Sequence, residues 1–383
     1  MPAGKRTEGS PRIRVGIDLT YLRPGEVGGT ETYAREIVLR LRERPELEIV
    51  LFVSRIFRES GDPLLEGVPV FALPVSGRSR VLRVLGAQTL LPILVRRSRV
   101  ELLHSLGYTA PLLARVPRLV TIHDTNFARV PMTPLRKLFL GRIVRASART
   151  AVRVLTVSEF SRSEIVERLG VPAGNIVVTP NAPRADLAGG GLPLAERSKT
   201  VLAFSSPDPH KNVARLARAF RSVADRLPGY ELRIVGHVPQ GLREEFAGAT
   251  GVRFLGYVDR EEIVREYRTA SLFVMPSLYE GFGIPLVEAL ACSLPSVASD
   301  RGALPEVGGD AVLYFDPESE PAIADALVRG LTDTDLRERL ARLAPPQAAR
   351  FSWDASAATI AGLYREVASD TRERAAEPRE ARR

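Results

Sequence analysis

The 383-residue chain has one cysteine, Cys292, so no internal disulfide framework can form and a cysteine-cluster metal site is excluded. A chain of this length buries enough apolar surface without staples, and a lone thiol is compatible with a reducing compartment. Long apolar runs are also missing. Val81–Val95 and Val100–Leu113 come nearest, but charge, histidine or proline interrupts both, so neither reaches the roughly 20 residues a membrane-spanning helix needs. The polar start MPAGKRTEGSPRIR lacks the apolar core of a signal peptide. Lysine is scarce: Lys5, Lys137, Lys199 and Lys211 are the only four among 54 basic residues.

What is present is an ordinary globular composition, 45% hydrophobic and 26% charged, with a net charge of +9. The charge is uneven. From Ser76 to Arg153 there are 15 Arg and Lys against only Glu101 and Asp124. Such a face suits an anionic membrane or an anionic acceptor; the alternative reading is compositional, with arginine as the chain's default cation. No nucleic-acid-binding motif or aromatic platform interleaves the arginines, so nucleic acid is not expected as a partner.

Short apolar runs alternate with helix-length amphipathic stretches. Strands are expected at 14–19, 48–53, 68–73, 102–105, 119–123, 154–157 and 176–179, then at 201–204, 231–235, 253–255, 272–275, 296–298 and 311–314. Helices are expected at 30–44, 161–169, 213–226, 260–270 and 285–291. The alternation predicts parallel sheets covered on both faces by helices. RADLAGGGLPLAERS, residues 184–198, has a glycine triplet and no strand pattern, and reads as a linker. The fold class is therefore α/β: an N-terminal doubly wound domain over 12–183, a linker over 184–198 and a second doubly wound domain over 199–350. Facing each other, such domains would put their strand ends on one interdomain cleft. The last residues, TRERAAEPREARR, read as a charged, frayed tail.

Four loops carry candidate chemistry. Gly28-Gly29-Thr30-Glu31 opens the first helix: Thr30 would cap it, Glu31 would favour its positive end, and the glycines would let backbone N–H groups approach an anion. A plain turn before a capped helix reads the same way, and GxGxxG is absent. His123-Asp124 ends the strand LVTIH. The imidazole would donate to a substrate hydroxyl with Asp124 fixing its tautomer, or it is simply buried in the loop. His104 ends the preceding strand similarly, with nothing further to support it.

The third loop, Ser205-Ser206-Pro207-Asp208-Pro209-His210-Lys211-Asn212, joins a strand to a helix start, a natural diphosphate cradle. A lysine at a helix start is unfavourable unless an anion compensates it, and GxxxxGK[ST] is absent. The fourth is the richest: Glu280-Gly281-Phe282-Gly283 forms a glycine-rich turn, and Glu288 lies on the helix opened by Pro285. A carboxylate there can accept two vicinal sugar hydroxyls.

EGFGIPLVEA resembles the Glu-x7-Glu signature of glycosyltransferase family 4, whose members are retaining enzymes of the GT-B fold. GGTETYAREI, TIHD, TVSEFSRSEI, VTPNA, DPHKNVARLARAF, ALPEVGGDAVLYFDP and FSWDASA follow in family order, over roughly residues 14 to 366. The resemblance implies that Lys211 binds the donor diphosphate, Glu288 the ribose hydroxyls and Glu280 the transferred sugar. The amides of Phe282 and Gly283 would assist, Gly28 and Gly29 would approach from the opposite domain, and His123 would touch the sugar or acceptor. Ser205, Ser206, His210, Asn212, Gly281 and Asp124 complete the expected substrate-binding set. Residues 351–368 would form a helix returning to the N-domain, leaving 369–383 as the tail. No cofactor or metal is called for, since lysine, helix N-termini and glycine amides can stabilise the leaving diphosphate. Three positions depart from the pattern: Ser205-Ser206 replaces Gly-Arg, Asn181-Ala182 replaces Asn-Gly, and Ser293 replaces a glycine.

The expected activity is transfer of a hexose from a nucleotide sugar, with GDP-mannose as the guess, to a polysaccharide or lipid-linked glycan. It would take place in the cytoplasm or peripherally at the inner membrane face. There, Leu135, Leu138, Phe139 and Ile143 would share a helix face beside Arg136, Lys137, Arg142 and Arg145. Alternatives are a nucleotide-sugar epimerase, a phosphorylase-like enzyme and a non-catalytic binding partner. Scarce lysine argues against a pyridoxal phosphate Schiff base, and intact Lys211, Glu280 and Glu288 argue against decay.

Overall fold

Apolar runs buried on both faces make parallel strands, and the amphipathic stretches between them make the covering helices. A computed structural model of the protein describes residues 12–25, 28–75, 80–126, 134–248 and 251–376. Contacts divide the chain into two units: residues up to Val157, Ser161–Thr179 and Trp353 onward form the first, and Ser158–Phe160 with Pro180–Ser352 form the second.

The first unit holds strands β1 (Ile13–Leu19), β2 (Leu47–Ser54), β3 (Val70–Leu73), β4 (Leu102–Ser105), β5 (Arg118–Thr121), β6 (Arg153–Thr156) and β7 (Ile176–Val178). Its helices are α1 (Gly29–Arg42), α2 (Arg55–Glu59), α3 (Arg80–Thr89), α4 (Leu91–Ser98), α5 (Pro134–Thr150) and α6 (Glu159–Leu169). The sheet order is β3-β2-β1-β4-β5-β6-β7, parallel throughout. The strand order therefore reverses between β1 and β4. One core of Val50, Phe52, Leu91, Val95 and Leu103 and another of Val120, Ile122, Val144, Val154 and Ile165 pack under the helices.

The second unit holds β8 (Ser198–Ser205), β9 (Glu231–Gly236), β10 (Val252–Gly256), β11 (Ala270–Met275), β12 (Ser296–Ser299) and β13 (Val312–Phe315). Its helices are α7 (Val213–Ser222), α8 (Gln240–Glu245), α9 (Arg260–Thr269), α10 (Ile284–Ala291), α11 (Leu304–Gly308), α12 (Glu320–Thr332) and α13 (Thr334–Ala348). Here the order β10-β9-β8-β11-β12-β13 is again parallel, and it reverses between β8 and β11. Helix α14 (Trp353–Ala376) closes the chain and belongs to the first unit.

All thirteen expected strands occur, with ends shifted by a few residues. Four details differ. The stretch expected as one helix over 213–226 breaks into α7 and a 3-10 turn, Ala224–Arg226. The tail expected to fray from Thr371 stays helical to Ala376. Thr30 does not cap α1: the N-cap is Gly28, at φ 57° and ψ −131°, a conformation glycine alone tolerates, and Thr30 lies inside the first turn. Finally, residues 184–198 pack as part of the second unit. Leu187 is buried, and buried Arg197 donates to the carbonyls of Ala270 and Cys292 at 2.9 Å each. A Cβ on Gly191 would lie 2.8 Å from the carbonyls of Arg268 and Cys292, so one glycine of the triplet permits close packing rather than slack.

Candidate functional site

In a doubly wound sheet the crevice that receives a ligand lies beyond the carboxyl ends of the strands, where the order reverses. In the second unit that point falls between β8 and β11. The loop after β8 carries Ser205 to Asn212, and the loop after β11 carries Pro276 to Gly283. The two loops are laced together: Leu278 N–H donates to the His210 carbonyl at 2.8 Å, and Asn212 Nδ2 donates to the carbonyls of Pro276 (3.0 Å) and Pro317 (2.8 Å). Asn212 sits at φ 57°, a left-handed turn that asparagine tolerates better than most residues, and Arg215 donates to its side-chain oxygen. Its amide is thus engaged in bracing the loops rather than directed to a substrate.

This lacing brings Lys211 and Glu280 together, 69 positions apart, with Nζ 2.6 Å from Oε1. Their side chains are 20% and 12% exposed, so the pair is neither sealed in nor fully solvated. Ser205 Oγ, at the end of β8, is buried without a hydrogen-bond partner. A buried hydroxyl in that state costs on the order of 1–3 kcal/mol until something bonds it. His210 is half-buried, and desolvation lowers its pKa. Glu280 is fixed through its backbone, whose carbonyl accepts from Ala303 N–H at 3.0 Å. Gly302 makes this approach possible, since a Cβ there would meet the Glu280 carbonyl oxygen at 2.6 Å. Phe282 is buried edge-on against Phe351, at 5.3 Å between centroids. Gly283, at φ 97°, turns the chain into α10 with no side chain capping the first turn.

Glu288 occupies a separate cluster within the same unit. Tyr267 donates its hydroxyl to Oε2 at 3.0 Å, and Arg184 Nε lies 3.0 Å from Oε1. Burial pushes the Glu288 carboxyl above its ordinary pKa, against the pull of Arg184. The structure therefore joins Lys211 to Glu280, and gives Glu288 partners of its own in Arg184 and Tyr267. One Asp-x-Asp does occur in the chain, at Asp333-Thr334-Asp335, but Asp333 caps α13 by accepting from Leu336 N–H.

In the first unit, Gly28 and Gly29 are exposed at the start of α1, and Glu31 behind them accepts from Gly25 N–H and from Arg35. His123 is buried, and burial drops its pKa to about 4, so the imidazole is neutral. Its Nε2–H donates to the Leu106 carbonyl at 3.0 Å, which fixes the tautomer. Asp124 was expected to do this; it accepts instead from Tyr108 and from Asn126 N–H. The N–H expected to reach a substrate hydroxyl is thus already used, leaving Nδ1 as an acceptor. His104 is buried between the hydroxyls of Tyr364 (2.6 Å) and Thr121 (2.9 Å).

Sequence reading missed Arg184, Tyr267 and Gly302, and also Asp18. Asp18 is a buried carboxylate at the β1–β4 switch point that accepts from Thr20 and Ser105. Its signal was available, as a charged residue inside the apolar run VGIDL.

Comparison with known proteins adds the family. The pattern described as Glycosyltransferase Family 4 matches residues 27–184, and that described as Glycosyl transferases group 1 matches residues 191–345. The chain is 33% identical over 264 residues to O-antigen chain mannosyltransferase B of Escherichia coli, covering 63% of this chain and 68% of the relative. It is 29% identical over 366 residues to the phosphatidyl-myo-inositol mannosyltransferase of Mycobacterium tuberculosis, covering 89% and 94%. Among solved structures, sucrose-phosphate synthase from Thermosynechococcus elongatus superposes with a TM-score of 0.78 at 21% identity, covering 94% of this chain and all of that one. Two consecutive family patterns on two Rossmann-ordered sheets make the conclusion direct: the chain belongs to the GT-B glycosyltransferases of family 4 and group 1.

Proposed function

We propose that this glycosyltransferase moves a hexose from a nucleoside diphosphate sugar, GDP-mannose, to a polysaccharide or lipid-linked glycan, with retention of anomeric configuration. The observation that carries the reading is the Lys211–Glu280 ion pair at the switch point of the second sheet. An ammonium held by a carboxylate can exchange that partner for a diphosphate, which frees Glu280 for sugar hydroxyls. Ser205 closes the strand that leads into the Lys211 loop. The bond from the anomeric carbon to the phosphate oxygen breaks as the acceptor oxygen bonds to that carbon, and the acceptor proton passes to the leaving diphosphate. Lys211 and the glycine-rich turn stabilise the charge that gathers on the phosphate. Glu288 holds the ribose, and Gly28, Gly29 and His123 are the first unit's candidate binding residues. Mannose as the sugar rests on the names of the two curated relatives.

The relatives' names also point to O-antigen and to phosphatidylinositol as acceptors, which suits work at the cytoplasmic face of a membrane. No helix among the described residues is long and apolar enough to cross one. Leu82, Leu85, Ile93, Leu113, Leu138 and Phe139 are nevertheless exposed in the first unit. Their segments are tied together by Gln88 bonding Ala110 and Leu112, and by Ser147 bonding Ala110. Exposed Arg96, Arg97, Arg142, Arg145 and Arg149 accompany them. The side chains of Leu135, Arg136 and Lys137, expected on the same face, lie outside the described residues. The pattern suits insertion of apolar tips into an anionic bilayer.

The test is a donor panel of GDP-mannose, UDP-glucose, UDP-galactose and ADP-glucose, read by release of the nucleoside diphosphate in the presence of a glycan acceptor. Turnover of GDP-mannose with an axial product linkage is expected. Turnover of another donor would overturn the sugar assignment, and no turnover with any donor would overturn the enzymatic reading.

A further inference from the structure

Arg184 lies in the segment that reads as a linker, yet that segment is rigid. It is held by buried Leu187, by the crowding around Gly191, and by Asp186, whose carboxylate binds Arg260 at 2.6 Å and whose carbonyl accepts from Arg268 at 2.8 Å. From this base the Arg184 side chain, 18% exposed, reaches Glu288, whose own side chain is 9% exposed. A carboxylate offers about four lone-pair positions. Tyr267 bonds one oxygen and Arg184 faces the other as its charge partner, which leaves lone pairs for a vicinal diol. We propose that Arg184 is a positioning residue that orients Glu288 to accept two ribose hydroxyls of the donor nucleotide. The proposal rests on the reading of the second unit as a nucleotide-sugar site.

Without a cation at this place, burial would push the Glu288 carboxyl further toward its neutral form. A carboxylic acid beside the Tyr267 phenol is a poor acceptor for two more hydroxyls. The groups facing Glu288 are Arg184, which favours its charge, and Asp186, which opposes it. Tyr267 bonds it, and the buried thiol of Cys292, itself pushed up to about 12, remains neutral beside it. Arg184 is the nearest cation, and its loss would move Glu288 further toward the neutral form as pH falls. Nε and one terminal nitrogen of Arg184 are buried without a hydrogen-bond partner, so the arginine is held at Glu288 by charge rather than by hydrogen bonds.

The test uses the full chain and Arg184→Gln, with Arg184→Lys as the conservative variant. Whichever of GDP, UDP and ADP gives the largest thermal shift is titrated calorimetrically beside its 2′,3′-dideoxy counterpart, at pH 6 and pH 8. The wild type is expected to prefer the ribose form at least tenfold. Arg184→Gln should weaken the ribose form about tenfold, more at pH 6 than at pH 8, and leave the dideoxy form within twofold. Arg184→Lys should restore most of the preference at pH 8. Equal weakening of the two nucleotides, or a full preference retained in Arg184→Gln, would overturn the role of Arg184 alone. A wild type that binds no diphosphate, or that does not distinguish the dideoxy form, would overturn the underlying reading of Glu288 as well.

Discussion

Polar residues at the strand ends are used differently in the two units. In the first, Asp18, His104 and His123 are buried, and their bonds go to hydroxyls and carbonyls of the same unit. In the second, Lys211 with Glu280 and Arg184 with Glu288 are ion pairs with part of their side chains open. A buried hydrogen-bonded network is costly to disturb and exchanges its partners reluctantly. An ion pair at a crevice can trade one charged partner for another at little cost in solvation. The second unit's charged pairs are therefore suited to exchanging partners, whereas the first unit's polar groups are committed to one another.

The largest effect that separates the two is expected from Lys211→Ala. Loss of a charge that stabilises a leaving group typically lowers turnover by about 10²–10³. The single tryptophan, Trp353, is buried in the first unit against Tyr33, so its fluorescence reports unfolding of that unit alone. It should melt at the wild-type temperature in Lys211→Ala. Turnover within threefold of wild type would mean that the Lys211–Glu280 pair is as structural as the histidine network.

Acid should act on the first unit next. Folding holds His104 near a pKa of about 3 and His123 near about 4, against 6.5 for a free imidazole, in both cases because burial disfavours the charged ring. The unfolded chain thus takes up protons first. Stability is full above about pH 6.5 and falls as pH drops, until each folded pKa is reached. Each histidine contributes up to about 1.4 kcal/mol per pH unit in that window. Denaturant unfolding followed through Trp353 at pH 7, 6 and 5 should give a steadily lower midpoint, and a flat midpoint would show that neither ring is held neutral.

Tyr364→Phe isolates one bond of the same network. It leaves one ring nitrogen of His104 buried without its hydroxyl, a loss of about 1–3 kcal/mol read by the same fluorescence, with donor affinity unchanged. A loss of donor affinity without loss of stability would reverse the contrast, placing ligand chemistry in the first unit's buried network.

Much of this was legible before any coordinates. Thirteen strands announced themselves as short apolar runs, and EGFGIPLVEA and the distant Lys211 marked the loops that turned out to be laced together. What stayed hidden depended on tertiary neighbours. Arg184 sits among residues whose glycines and prolines read as loose chain, and nothing local says that its guanidinium lies beside a carboxylate 104 positions later. Asp124 beside His123 invited a tautomer-fixing role, but the carbonyl that takes the proton, Leu106, lies on another loop. Gly302 is informative only once Glu280 is seen packed against it.

The smallest expected effect concerns strain rather than charge, and it tests whether the second unit's special backbone serves its site. Ser293 follows α10 at φ 51°, a left-handed conformation that disfavours any residue with a Cβ, and the family pattern has glycine there. The position lies at the far end of α10 from Gly283, and its carbonyl accepts from Arg197 of the 184–198 segment. Ser293→Gly should relieve strain without touching Lys211, Glu280 or Glu288. The unfolded chain gains freedom from the same change, so the net stabilisation is about 0.5–1 kcal/mol. Thermal melts of the second unit, read by circular dichroism after the fluorescence transition is subtracted, should rise by a few degrees at most with donor kinetics unaltered. A change in donor affinity would mean that the turn after α10 transmits to the carboxylate on that helix, and that the strain at Ser293 is part of how Arg184 and Glu288 are held.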